Sequence, residues 1–94
     1  MSINAYPVFN NRMGKVSFSL YRDRELTDFL DMEVDIYRNI HDCSGTIEIP
    51  LMTLLEAAGI AKELYINERT KQRLRSNIEY ARKHNNKVIT YYCF

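Results

Sequence analysis

Pro50-Leu51-Met52-Thr53-Leu54-Leu55-Glu56-Ala57-Ala58-Gly59-Ile60 is the most apolar run of helix-forming residues in the chain. Pro50 suits the first turn of a helix, where its missing N–H costs nothing. Leu51, Met52, Leu54, Leu55, Ala57 and Ala58 carry the helix forward, and Gly59 is a natural stop. The residues before this run lean acidic and those after it lean basic. The expectation is a buried helix on which one small domain is assembled.

The chain has 94 residues, enough for one domain. Its 46% hydrophobic and 27% charged residues, with three Gly and two Pro, are the composition of a folded protein. The net charge of +1 lacks the basic excess of a dedicated duplex binder. The start is polar, without the basic and apolar regions of a signal peptide. No apolar run approaches the roughly 20 residues that span a bilayer. Two cysteines, Cys43 and Cys93, are too few for a secreted disulfide scaffold. A cytoplasmic protein with free thiols is expected, with no membrane partner.

Outward from the central run, residues 3–21 read as a β-hairpin. Ile3, Ala5, Val8 and Phe9 supply a first strand, with Pro7 marking it as an edge or a bulged segment. Asn10 to Gly14 is turn material. Val16, Phe18 and Leu20 then alternate with Ser17, Ser19 and Tyr21, a half-buried strand. Residues 30–36 also alternate, but a helical projection explains about eighteen residues of 22–41. It groups Leu26, Phe29, Leu30, Val34, Ile36, Tyr37 and Ile40 on one arc and Asp28, Asp31, Asp35, Arg38 and Asn39 on the other. Glu33 falls inside the apolar arc and is expected to be paired, at an interface, or at the rim. Asp23 and Glu25 suit that helix's positive N-terminus.

Gly45 is expected to close the helix with left-handed geometry. Thr46 to Ile49 is a short β-prone run, and 60–66 a connector. Asn67 is a plausible N-cap for a helix from 68 to about 84, with a narrow apolar stripe of Leu74, Ile78 and Ala81. Lys87 to Phe94 is a β-branched and aromatic final strand. The predicted fold is α+β: a small, mostly antiparallel sheet, the N-terminal hairpin plus the C-terminal strand, with about three helices packed on one side. If the last strand were central it would be core; at an edge it would invite pairing with a second copy.

Charge is segregated along the chain. Residues 22–42 hold three Arg and seven acids, and residues 62–94 hold eight bases and three acids. On the last helix Arg69, Arg73, Asn77, Tyr80 and His84 form one stripe. Asp28, Asp31 and Asp35 share a face of the earlier helix. The plain reading of both is a solvated or mutually neutralising surface. The functional reading is a partner-binding surface, since Arg and Tyr concentrate at the energetic centres of interfaces.

Catalytic and cofactor signatures are missing: no Gly-rich phosphate loop, no Gly-x-Ser-x-Gly, no His-Glu-x-x-His. His41, Cys43, His84 and Cys93 are ligand types, but a zinc site shows short paired spacings at both ends and here only one end has it. A helix-turn-helix aligned on Gly59 puts Leu55 where a small residue belongs and Glu68 where an apolar one belongs. The reading is a non-enzymatic protein without metal or cofactor.

The stretch Arg22-Asp23-Arg24-Glu25-Leu26-Thr27-Asp28-Phe29-Leu30 through Ile40, followed by Ile49 to Gly59, resembles small accessory proteins of temperate phages and of phage satellites of enteric bacteria. Within that group it is most similar to the satellite-phage derepression proteins. The resemblance covers most of the chain by overall cast and brings no defined motif, so no functional residue is carried over. It implies an antirepressor that binds the repressor of a helper prophage. The expected partner is therefore a protein, with a homodimer or higher oligomer as a further option. The alternatives are a DNA-binding regulator using 67–84 and an inhibitor of a host defence protein.

Overall fold

The computed structural model describes residues 3–40, 44–59 and 66–94. Strands β1 (Asn4–Phe9), β2 (Arg12–Met13) and β3 (Phe18–Ser19) come first, then helices α1 (Arg24–Val34) and α2 (Ile36–Asn39). Strand β4 (Gly45–Pro50), helices α3 (Leu51–Gly59) and α4 (Glu68–Lys83), and strand β5 (Val88–Cys93) complete the described elements. The sheet is antiparallel, ordered β2-β1-β5-β4, with β3 pairing β1 beyond β2. The fold is α+β.

The C-terminal strand is the centre of this sheet. β5 is zipped on one side to β1 and on the other to β4, so Tyr91 stands between Pro7 and Ile47. Its alternation is strict: Ile89, Tyr91 and Cys93 are buried, while Val88 and Tyr92 are exposed. Ala5, Ile47 and Ile49 join them on the inner face. Against that face pack Leu26 and Leu30 of α1, Ile36 of α2, Leu54 and Ala57 of α3, and Leu74, Ile78 and Ala81 of α4. With both edges paired, β5 has none free for strand addition.

The hairpin forms, but with an interruption. Asn10 and Asn11 both take positive φ, 52° and 63°, which gives a two-residue turn. Val8 pairs with Met13, whereas Ala5 pairs with Phe18. Two residues separate the first pair on β1 and four separate it on the returning chain, so two extra residues lift away over 14–17. Pro7 sits at this point. In an antiparallel strand a residue's N–H and C=O point to the same side. The Pro7 carbonyl accepts from the Gly14 N–H at 2.7 Å, so its missing donor faces the lifted segment, where no ladder partner is needed. Pro7 thus marks a bulge inside the sheet rather than an edge. Ser17 and Ser19 are buried along with Phe18 and Leu20, so the alternation does not yield a strand with one wet face.

The helix expected over 22–41 is broken into two. Val34 and Ile36 would point about 200° apart on a continuous helix. Asp35 adopts left-handed geometry, φ 51° and ψ 54°, which Asp tolerates better than most residues. The turn re-aims Ile36 into the core. Asp31 Oδ1 accepts the Tyr37 N–H at 3.0 Å, the Tyr37 hydroxyl donates to Asp28 at 2.8 Å, and Asn39 Nδ2 donates to the Asp35 carbonyl at 3.0 Å. Glu33 and Met32 are exposed, so Glu33 meets water although it projects onto the apolar arc.

Three further expectations change. Gly45 does not take positive φ; it opens β4, and a Cβ there would collide with the Asn39 carbonyl oxygen. Pro50 ends β4 opposite Val88, one residue before α3, and the Leu51 N–H donates to the Lys87 carbonyl at 2.8 Å. α3 is not a buried pivot: it buries Thr53, Leu54 and Ala57, but Met52 is 75% and Leu55 41% exposed. A short helix lying over a sheet can cover only one arc. His41 to Cys43 and Ile60 to Tyr65, including most of the expected connector, lie outside the described residues.

Two glycine substitutions separate these roles. Gly45→Ala meets rigid backbone and should lower stability by about 1–3 kcal/mol. Gly59→Ala, at the end of α3, meets no described atom within 4 Å. It should be neutral or stabilising by up to about 1 kcal/mol. Urea unfolding of both variants reads the difference.

Candidate functional site

The lifted segment 14–17 returns to β1 at Ser17, whose N–H donates to the Ala5 carbonyl at 2.8 Å, and there it meets α4. Between them runs a groove of about 500 Å³, lined by Pro7, Phe9, Lys15, Val16, Arg69, Arg73 and Tyr80 among others. A second basin of about 360 Å³ continues it towards the α4 N-terminus and adds Arg22 and Asp23. Val16, Arg69 and Arg73 line both.

The orientation of α4 follows from its caps and its buried stripe. Asn67 Oδ1 accepts the Thr70 N–H at 2.8 Å, the expected N-cap. Leu74, Ile78 and Ala81 face the sheet. Asn77 lies beside them, 8% exposed, and donates to Ser17 Oγ at 2.6 Å and to the Tyr91 hydroxyl at 3.0 Å. This bond holds the lifted segment against the helix from beneath. Arg69 and Arg73, two turns and one turn earlier, are thereby set along the groove.

The groove is cationic at one end and aromatic at the other. Lys15, Arg22, Arg69 and Arg73 contribute the charge. The acid among the lining residues, Asp23, is occupied: its carboxylate accepts from the Ser19 N–H at 2.8 Å and the Thr70 hydroxyl at 3.4 Å. Among the described residues the ion pairs are Arg24–Asp28 and Lys71–Glu68, and neither involves a groove base. Tyr80 stacks on Phe9 with centroids 4.2 Å apart, and Asn10 Nδ2 donates to its hydroxyl at 3.3 Å.

The predicted stripe is therefore divided. Arg69, Arg73 and Tyr80 line the groove. Asn77 contributes to its floor but spends its donors inside the fold. His84 is the exposed C-cap of α4 and stacks on Tyr80 at 4.3 Å, outside the lining. The acidic face is used at the corner between α1 and α2, through the bonds of Asp28 and Asp31 to Tyr37 and the left-handed Asp35. Lys15, Arg22 and Phe9 were missed by sequence reasoning. The signal for them was Pro7 facing Gly14 across the hairpin, which foretells the lifted segment.

Burial and hydrogen bonding shift three acids. The Tyr37 phenol is pushed up to about 12, first by burial and then by its bond to Asp28 and that carboxylate's charge. Burial pushes the Tyr91 phenol up, opposed by the Asn77 bond. Burial also pushes the Cys93 thiol up to about 12. Among the described residues no three His, Cys, Asp or Glu side chains gather to hold a metal. None of the described helices is long and apolar enough to cross a membrane.

No protein-family model, curated protein or solved structure matches the chain.

Asn77→Ala removes the donor to two buried hydroxyls and should cost about 1–3 kcal/mol. Arg69→Ala, at an exposed position, should stay within about 0.5 kcal/mol. Chemical denaturation compares them. For Tyr37, the folded state holds its proton where the unfolded chain has lost it. That contribution to stability is present below the ordinary phenol value of 10 and is lost as pH rises from there through about 12. Tyr37→Phe should flatten this alkaline fall in a pH series of unfolding midpoints. Cys93 should resist alkylation at neutral pH in the native protein and react once it is unfolded, as read by mass mapping.

Proposed function

We propose that this chain is a non-enzymatic, protein-binding regulator, and that its groove takes an acidic segment of a partner protein carrying an apolar or aromatic anchor. The observation that carries the reading is the placement of Lys15, Arg22, Arg69 and Arg73 along one concavity ending in the Phe9–Tyr80 stack. Arg pairs carboxylates in a bidentate fork. An aromatic wall beside it supplies the desolvated contact that makes an interface energetic centre. A concavity of about 500 Å³ suits side chains, whereas a duplex is gripped by an outward array of bases backed by a net positive charge, and this chain carries +1.

The likeness to satellite-phage derepression proteins makes a helper prophage repressor the partner of choice. The mode of action is then that of an antirepressor: occlusion or sequestration of the repressor in the host cytoplasm. A host defence protein is the second candidate and would be held by the same chemistry. The residues assigned to the contact are Arg69, Arg73 and Tyr80, together with Lys15, Arg22 and Phe9.

Affinity capture from the native host, with and without the double substitution Arg69→Glu and Arg73→Glu, tests this. The expected result is one repressor or defence protein, recovered by the wild type and lost by roughly tenfold or more in the variant. Equal recovery of a protein by both would overturn the groove as its contact, and recovery of duplex DNA with a steep salt dependence would overturn the reading in favour of a DNA-binding role for 67–84.

A further inference from the structure

The sheet has a second face, opposite the helices. Tyr6 and Val8 of β1, Val88, Thr90 and Tyr92 of β5, and Thr46, Glu48 and Pro50 of β4 alternate onto it. Tyr6 stands opposite Tyr92. Phe94 stacks on Tyr6 with centroids 4.8 Å apart at 18°, and meets Tyr92 edge-on at 5.3 Å. Met13, Val88, Tyr92 and Phe94 remain 53, 43, 44 and 45% exposed. Single exposed apolar residues are ordinary; a contiguous set with three aromatic rings is not.

We propose that a second copy of the chain packs on this face, sheet against sheet, about a two-fold axis running along the boundary between β1 and β5. Area is the first argument. Side chains of this size at these exposures offer, with their less exposed neighbours, roughly 500–600 Å² per copy, so a stacked pair buries about 1,000–1,200 Å² in total, at the threshold of a specific interface. Self-complementarity is the second. One row across the sheet reads Met13, Val8, Thr90, Glu48, and another reads Tyr6, Tyr92, Thr46. The axis reverses each row. Tyr92 then lies over Tyr6 of the second copy, and Glu48 lies over Met13 of the second copy.

Charge does not oppose the packing: Glu48 is the charged side chain in these rows, and it stands on β4, at the margin of the sheet. A stack of nucleobases could also use the rings, but the rows present an acid and no base to a phosphate backbone. The dimer leaves both grooves open on its outer sides, and it does not depend on what the grooves bind.

Sedimentation velocity on the full chain, without ligand, tests the proposal. The wild type should pass from the 11.1 kDa monomer to twice that mass as concentration rises, and Tyr92→Glu should remain monomeric. Met13→Glu should weaken the dimer by roughly tenfold or more, the scale of an interfacial like-charge juxtaposition, while Met13→Lys should not weaken it. The Met13 pair lies at the exposed hairpin end and decides the matter even if Tyr92→Glu fails to fold. A wild type that stays at 11.1 kDa throughout overturns the proposal. So does a dimer that survives Tyr92→Glu, or equal weakening by both Met13 variants. A monomeric wild type that binds single-stranded oligonucleotides with tyrosine quenching overturns it in favour of a nucleobase platform.

Discussion

The side-chain nitrogen of Asn77 donates to Ser17 and to Tyr91 in a space closed to solvent. A buried amide left without partners costs about 1–3 kcal/mol, so the three groups must meet or the fold loses a sizeable part of its stability. Their meeting joins α4, the central strand and the lifted segment of the hairpin. α4 has only a narrow apolar stripe, which by itself would leave its rotation poorly specified. The polar bond fixes it, because an amide must find its partners within hydrogen-bonding geometry whereas apolar contacts tolerate some sliding. Everything else on that helix, including the direction of Arg69 and Arg73, follows from this rotation.

The groove is the other consequence of the same arrangement. A hairpin paired along its whole length would lie flat under α4 and leave no wall. Pro7 cannot complete the ladder, two extra residues leave the sheet at that point, and Asn77 holds them where they stand. Gly14, whose Cβ position would lie 3.2 Å from Pro7 Cγ, lets the chain pass close to the proline ring. The tight Asn10–Asn11 turn brings the chain back beside Tyr80. A local defect in strand pairing has thus become a concavity.

The two charged helical regions are used differently. Around α1 and α2 the acids serve the backbone: Asp23 bonds the Ser19 N–H, Asp31 bonds the Tyr37 N–H, and Asp35 makes the corner. Around α4 the groove bases are not consumed in the ion pairs seen among the described residues. A chain of almost zero net charge therefore offers a cationic surface. The asymmetry arises because a carboxylate can accept short bonds from backbone donors, whereas a long basic side chain has fewer local partners and reaches into solvent.

Much of the fold was legible in the residues alone. The β-branched and aromatic run at 88–93, the helical arc around Leu26 and Leu30, the Asn67 cap and the Leu74, Ile78 and Ala81 stripe each carry a local pattern that the structure follows. The α+β class followed from their order. That Arg69, Arg73 and Tyr80 share a helix face was legible as well, and the structure sets all three along the groove. Other features were decided only in three dimensions. Asn77 looked like a member of the surface stripe, since a helical projection places it at the border and cannot say what lies across from it. The apolar run at 51–59 looked like the centre of the molecule, yet the centre is β5, because a strand paired on both sides buries more than a short helix resting on a sheet. Periodicity reports which side of an element shuns water; the partner on that side, and so the groove itself, depends on contacts between residues as distant as Ser17 and Asn77.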